Sequence, residues 1–163
     1  MAGLRDTAIV VKLPGTFTKK ILIVPSSPIK NFSDMPMDFI LTPNASPPGG
    51  HYSQATVFEN LVFTAGQLAI TSAGERLSDG TIEEQTLQAL KNVQAILKAA
   101  GSDIDHVLKT TVFVADISLW GKVNQVYSEF FGSHKPARSI VPTKELNHGF
   151  LIEIEAIAIK KQV

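Results

Sequence analysis

The run Phe150-Leu151-Ile152-Glu153-Ile154-Glu155-Ala156-Ile157-Ala158-Ile159 constrains this chain more than any other segment. Its β-branched content fits a strand, and its apolar content fits a central one. Side chains alternate along a strand. Leu151, Glu153, Glu155, Ile157 and Ile159 therefore share one face, and Phe150, Ile152, Ile154, Ala156 and Ala158 the other. Both faces are largely apolar, so both need cover. One also carries two acids, and a buried ion costs energy unless it has a partner or a task. Each acid reads as half of a structural ion pair with Lys or Arg, or as a site residue. The expectation is one of each, with Glu153 in a site and Glu155 structural.

Other elements follow from local signals. Thr81-Ile82-Glu83-Glu84 is a capping box. Ile82, Thr86, Leu90, Val93 and Leu97 then recur at helical spacing, and Gly101 stops the helix. A second helix is expected over 118–131, with Val123, Val126, Tyr127 and Phe130 on its apolar side. Strands are expected at 55–58 and 61–64 around a turn at Asn60, and at 107–116, 139–144 and 150–159. Gly66 ends or bulges the second of these. Residues 7–25 read as a hairpin punctuated by Pro14-Gly15, and 26–50 as a loop or arm rich in Pro, Ser, Asn and Gly. The expected division is an N-terminal extension over 1–45 and a main domain over 46–163. Two helices cover only one face of the sheet. A homo-oligomer whose sheets pack together would cover the other.

A chain of 163 residues can bury a full core. Lys+Arg and Asp+Glu are both 15, which gives no electrostatic footprint for nucleic acid or an anionic membrane. The absence of cysteine removes disulfides, thiolate catalysis and Cys-based zinc sites. No apolar run approaches the roughly 20 residues of a membrane span. Arg5, Lys12, Lys19 and Lys20 give the N-terminus a basic cast, but Pro14, Gly15 and β-branched residues break a targeting helix. A structured extension and a cytoplasmic address are expected.

Arg138, in Pro136-Ala137-Arg138-Ser139, reads as a two-point clamp for a carboxylate or as the ion-pair partner of Glu153 or Glu155. A glutamate such as Glu153 can hold or activate water. Arg138 and Glu153 together suggest a site where a small carboxylic acid is hydrolysed. Gly66 reads as a close approach of backbone to ligand or as an ordinary bulge. Tyr52 reads as a pocket lid or a packing residue, and Asn124 as a ligand contact or a cap. His51, His106, His134 and His148 show no metal spacing and read as structural or surface groups.

Several runs carry a family resemblance. They are Glu84-Gln85-Thr86 with Ala89-Leu90 and Asn92-Val93, Ala99-Ala100-Gly101, and Lys109-Thr110-Thr111-Val112-Phe113-Val114-Ala115-Asp116. Val123-Asn124-Gln125-Val126-Tyr127-Ser128-Glu129-Phe130-Phe131, Pro136-Ala137-Arg138-Ser139 and Ile152-Glu153-Ile154-Glu155-Ala156-Ile157-Ala158 complete the pattern. In order and spacing, from about residue 50 to 160, the chain resembles the YjgF/RidA family of enamine/imine deaminases. The resemblance implies an α+β, chorismate-mutase-like fold, with a mixed sheet, two helices on one face, and here an added N-terminal β-hairpin. It implies a homotrimer with clefts between subunits, and hydrolysis of 2-enamino or 2-imino acids to 2-oxo acids and ammonium without cofactor or metal. By position, Arg138 would grip the substrate carboxylate and Glu153 would orient water. Tyr52 would close the pocket, Gly66 would line it, Asn124 would contribute from the wall, and the Ile140 backbone would bond the substrate. The chain departs from the family at Ala65, often a hydroxyl residue, and at Ile140, often cysteine. A missing hydroxyl removes a hydrogen bond worth about 0.5–1.5 kcal/mol.

The alternatives are a non-catalytic module that binds a small carboxylate and a pathway deaminase acting on a larger imino or amino-enoic acid. A ribonuclease is a further one, and zero net charge counts against it. Deleting residues 1–34 is expected to change assembly or stability. Unchanged size-exclusion behaviour and melting would reject a packed role for the extension.

Overall fold

The computed structural model describes residues 9–11, 19–21 and 36–161. The chain forms two compact units, residues 1–35 and 36–163. In the first, β1 (Ile9–Val11) pairs antiparallel with β2 (Lys19–Ile21), Ile9 opposite Ile21. The expected hairpin is present, with its second strand starting at Lys19 rather than Ile21. The rest of that expectation, including how its side chains pack, lies outside the described residues.

The second unit contains β3 (Met37–Ile40), β4 (Ala55–Phe58), β5 (Leu61–Thr64), α1 (Ile82–Ala99), β6 (Val107–Val114), α2 (Trp120–Phe131), β7 (Ala137–Pro142) and β8 (Ile152–Ile159). The strands form one mixed sheet in the order β3-β4-β5-β8-β6-β7. Only β6 and β7 run parallel, and α2 supplies the crossover that a parallel pair needs. The long apolar strand β8 is central, paired with β5 and β6.

Local chemistry sets the element ends. Thr81 N–H donates to Glu84 Oε2 at 2.8 Å while Glu84 N–H donates to Thr81 Oγ1 at 3.2 Å, so the capping box forms in both directions. At the other end Gly101 has φ 78°, and Ser102 N–H bonds the Leu97 carbonyl at 2.8 Å. The turn between β4 and β5 places Glu59, not Asn60, at positive φ, 53°. α2 starts two residues later than expected, because Asp116 Oδ1 accepts Ser118 N–H at 2.8 Å and caps a short 3-10 turn first. β8 starts at Ile152 rather than Phe150, because Leu151 N–H is taken by Gln85 Oε1 of α1 at 2.9 Å.

One expectation is corrected. Met37–Ile40, inside the supposed arm, is the edge strand β3 and pairs antiparallel with β4, Met37 opposite Phe58. Flanking prolines and an adjacent Asp make it read as loop. The free edge of β4 makes it a strand.

α1 and α2 pack over the even-numbered face of β8. Leu90, Val93, Ile96 and Leu97 of α1 and Val123 of α2 join Val112, Val114, Ile152, Ile154, Ala156 and Ala158 in one buried core. The odd-numbered face is different. Ile157 lies opposite Phe63, and Ile159 opposite Leu61. Phe39 at 70% and Met37 at 52% remain exposed. Within the described residues this face leaves Met37, Phe39, Phe63 and Ile159 exposed on neighbouring strands, a grouping that favours burial against a partner.

Buried Asn92 ties α1 to the chain leaving β5. Its Nδ2 donates to the Leu68 carbonyl at 3.1 Å and the Ile70 carbonyl at 2.7 Å. Asn92→Ala strands both carbonyls, and we expect a loss of about 2 kcal/mol or more. Urea denaturation at fixed protein concentration checks this; an unmoved midpoint rejects it.

Candidate active site

Past β5 the pairing slips. Phe63 lies opposite Ile157, but the next bridge joins Gln67 to Ile154, so one strand spends four steps where the other spends three. This is a one-residue bulge. Thr64 Oγ1 fills the gap by accepting Ala156 N–H at 2.9 Å. The bulge carries Gly66 against Glu153, where a Cβ on residue 66 would overlap Glu153 Oε1. The glycine is therefore needed for space beside the carboxylate, not for a turn.

Glu153 is half-buried and has neither a hydrogen bond nor an ion pair among the described residues. Burial raises its pKa above the ordinary glutamate value, and the neighbouring charge of Glu155 raises it further. Both structural ion pairs considered for these acids are absent among the described residues. The site reading of Glu153 gains from this. The structural pairing of Glu155 is corrected.

A pocket of about 450 Å³ opens beside Glu153, lined also by Tyr52, Gly66, Arg76, Asn147 and His148. Tyr52 reaches it because its loop is pinned from below. Gln54 accepts Thr42 N–H at 2.6 Å and donates to the Ser46 carbonyl at 2.8 Å. Ser46 Oγ then bonds Gln67 Oε1 at 3.3 Å. The Tyr52 hydroxyl accepts Gly49 N–H at 3.0 Å, and the ring stays 52% exposed at the rim.

Arg138 lies elsewhere. It pairs in register with Thr110, and Thr110 with Ala156, so its side chain is on the helix face of the sheet. Glu153 lies opposite Phe113, on the other face. One chain therefore does not bring Arg138 and Glu153 together, and Arg138 is not the ion-pair partner of either glutamate. Instead Arg138 Nη2 donates to Asn124 Oδ1 at 2.9 Å, and its guanidinium sits 4.4 Å from the Tyr127 ring centroid. The Tyr127 hydroxyl shares a 2.8 Å buried hydrogen bond with Thr110. Burial raises the Tyr127 pKa, opposed by the Thr110 bond and the Arg138 charge. Asn124 and Arg138 line a second pocket, of about 360 Å³.

Ile140 follows two residues on, with its side chain against the core edge. β7 is the last strand of the sheet. Thr143 N–H bonds the Val114 carbonyl at 2.8 Å. Alternate residues of a parallel strand send both backbone groups to the same side. By that alternation, the Arg138 and Ile140 peptide groups face off the free edge.

The expected residues thus fall into two groups on opposite faces, Tyr52-Gly66-Glu153 and Asn124-Arg138-Ile140. Sequence reading missed Tyr127, whose role under Arg138 shows only as a position one turn past Asn124. It also missed Arg76, and it treated His148 as a structural or surface group. His148 has φ 58° in a short turn at the pocket rim, where Asn147-His148-Gly149 reads as a turn in the sequence; its place beside Glu153 does not show there. Among the described residues no group of three or more His, Cys, Asp or Glu is placed to hold a metal.

The family model described as Endoribonuclease L-PSP matches residues 42–160. A RutC family protein of Pyrococcus horikoshii is 45% identical over 124 residues, covering 76% of this chain and 98% of that protein. A human protein named 2-iminobutanoate/2-iminopropanoate deaminase is 42% identical over 118 residues, covering 71% of this chain and 86% of its own. The crystal structure of E. coli TdcF with bound serine superimposes with a TM-score of 0.72 at 34% identity, covering 76% of this chain and 99% of that one.

Tyr127→Phe keeps a ring under Arg138 but removes the buried partner of Thr110. We expect a loss of about 1 kcal/mol of stability. Chemical denaturation measures it, and a variant as stable as the parent contradicts the structural role given to this bond.

Proposed function

The chain belongs to the endoribonuclease L-PSP family, the YjgF/RidA family, and on that premise we propose that it hydrolyses 2-imino and 2-enamino acids to 2-oxo acids and ammonium. The observation that carries this reading is Glu153, a half-buried carboxylate without a partner among the described residues, held beside a glycine whose missing side chain makes room for it.

Arg138 supplies binding. One of its donors is committed to Asn124, and the face of Tyr127 fixes the plane of the rest. The guanidinium is therefore ordered before a carboxylate arrives, which lowers the entropy lost on binding. The Ile140 peptide at the free edge offers further backbone bonds. Glu153 supplies the chemistry. It takes a proton from water as the water oxygen bonds to the imine carbon. The nitrogen receives that proton and a carbinolamine forms; its hydroxyl proton then passes through Glu153 to the same nitrogen, the C–N bond breaks with its electrons leaving on nitrogen, and the carbonyl forms. The sum is imino acid plus water giving oxo acid plus ammonia, which protonates to ammonium. Positioning a single water beside an already electrophilic carbon suffices.

Since the two groups of residues lie on opposite faces, Arg138 of one copy would complete the pocket of another. A homotrimer with sites between subunits fits this need, and its packing would cover the apolar odd-numbered sheet face. An equal number of acidic and basic residues, 15 each, counts against RNA as the substrate.

A coupled assay tests the reading. A threonine dehydratase generates 2-iminobutanoate and semicarbazide traps what remains. The protein is expected to speed release of 2-oxobutanoate. Arg138→Ala and Glu153→Gln should each lower kcat/KM by about 10²-fold or more. Glu153 must be ionised to act, and its pKa is raised. The wild-type acid limb is thus expected above the ordinary glutamate range, with activity lost as pH falls through it. Full activity in Glu153→Gln, or an unchanged limb, rejects the water-positioning role.

A further inference from the structure

We infer that Arg76 is a specificity residue for this pocket, selecting 2-imino acids that carry a second, distal carboxylate. The inference rests on the deaminase reading for its chemistry, and on Arg76 alone for its selectivity.

Arg76 lines the same pocket as Tyr52, Gly66 and Glu153. Its backbone is fixed. The chain leaves the bulge, turns at Gly74 with φ 85°, and returns so that Arg76 bridges Ile70. Thr71 N–H bonds the Glu75 carbonyl at 2.9 Å, and Leu77 N–H bonds the Ala69 carbonyl at 3.0 Å. Asn92 anchors the base of this turn through the Leu68 and Ile70 carbonyls. A rigid base thus presents a long cationic side chain to the pocket.

The guanidinium has no hydrogen bond or ion pair among the described residues, and it does not pair with Glu153 in the same pocket. A monocarboxylic imino acid needs one guanidinium, and Arg138 of a second copy would fill that role. Arg76, exposed at the pocket rim, is then a second cation that an anionic ligand can reach. A substrate with two carboxylates satisfies both: the α-carboxylate on Arg138, the distal one on Arg76, and the imine carbon beside Glu153. The small side chain of Ala65, and a pocket of about 450 Å³, leave space for a four- or five-carbon diacid. Asn147 and His148 on the rim add polar groups of the same use.

The test compares two imines in the full-length protein. 2-Iminosuccinate is generated by an aspartate oxidase and 2-iminobutanoate by a threonine dehydratase. Semicarbazide trapping gives kcat/KM for each. The ratio of the diacid to the monoacid is expected to fall about tenfold to a hundredfold in Arg76→Gln, the range for a lost charge-assisted hydrogen bond. Arg76→Lys, which keeps the charge, should restore part of it. A ratio that does not move in Arg76→Gln overturns the inference, including the case where Arg76 only contacts solvent or another copy. Calorimetric binding of succinate and butanoate separates this outcome from failure of the deaminase reading. If neither imine is turned over but succinate binds more tightly than butanoate, in a manner lost in Arg76→Gln, the deaminase reading fails and the diacid selectivity stands. No preference for succinate in the parent protein overturns the selectivity.

Discussion

The strict alternation of side chains across one sheet governs this molecule. β8 sends Ile152, Ile154, Ala156 and Ala158 to the helices, and Glu153, Glu155, Ile157 and Ile159 to the other face. Because β7 pairs in register with β6, the same rule puts Arg138 on the helix face. A shift of one residue in either strand would reverse the assignment and break the core. The separation of the cation from the acid is therefore as firmly specified as the core itself.

That separation lets each group be prepared independently. On the helix face, Asn124, Tyr127 and Thr110 form a short chain of contacts that orders Arg138. On the other face, the bulge after β5 clears space beside Glu153 and leaves its carboxylate partly desolvated. Had the two met within one chain, they would have neutralised each other as an ion pair. Kept apart, each stays available to the ligand proposed above. The acid, unpartnered among the described residues, and the apolar face around it are both costly in an isolated chain. Proposed self-association would offset both costs at once.

The loops obey the same economy of contacts. Gln54 and Gln67 hold the segment that carries Tyr52, and Asn92 holds the turn that carries Arg76. Three buried amide side chains thus position most of the pocket rim. None looks catalytic in sequence, and each acts by satisfying backbone groups that a loop would otherwise leave unbonded.

Both helices, the central strand and the β4–β5 hairpin were legible in the sequence, because local rules write them: the capping box at Thr81, the glycine stop at Gly101, the period-two run ending at Ile159. The family, too, could be read from residue order and spacing. β3 was not legible, since Met37–Ile40 is a strand only because β4 has an edge to offer. Nor was the place of Tyr127 under Arg138, or of Arg76 in the pocket beside Glu153, which depends on which surfaces the fold brings together. The sequence alone determined which residue types the chain owns and the face each takes along its own strand. The tertiary structure decided how those faces align from strand to strand. Pairing register is a non-local property, and it placed Arg138 and Glu153 on opposite sides of one sheet.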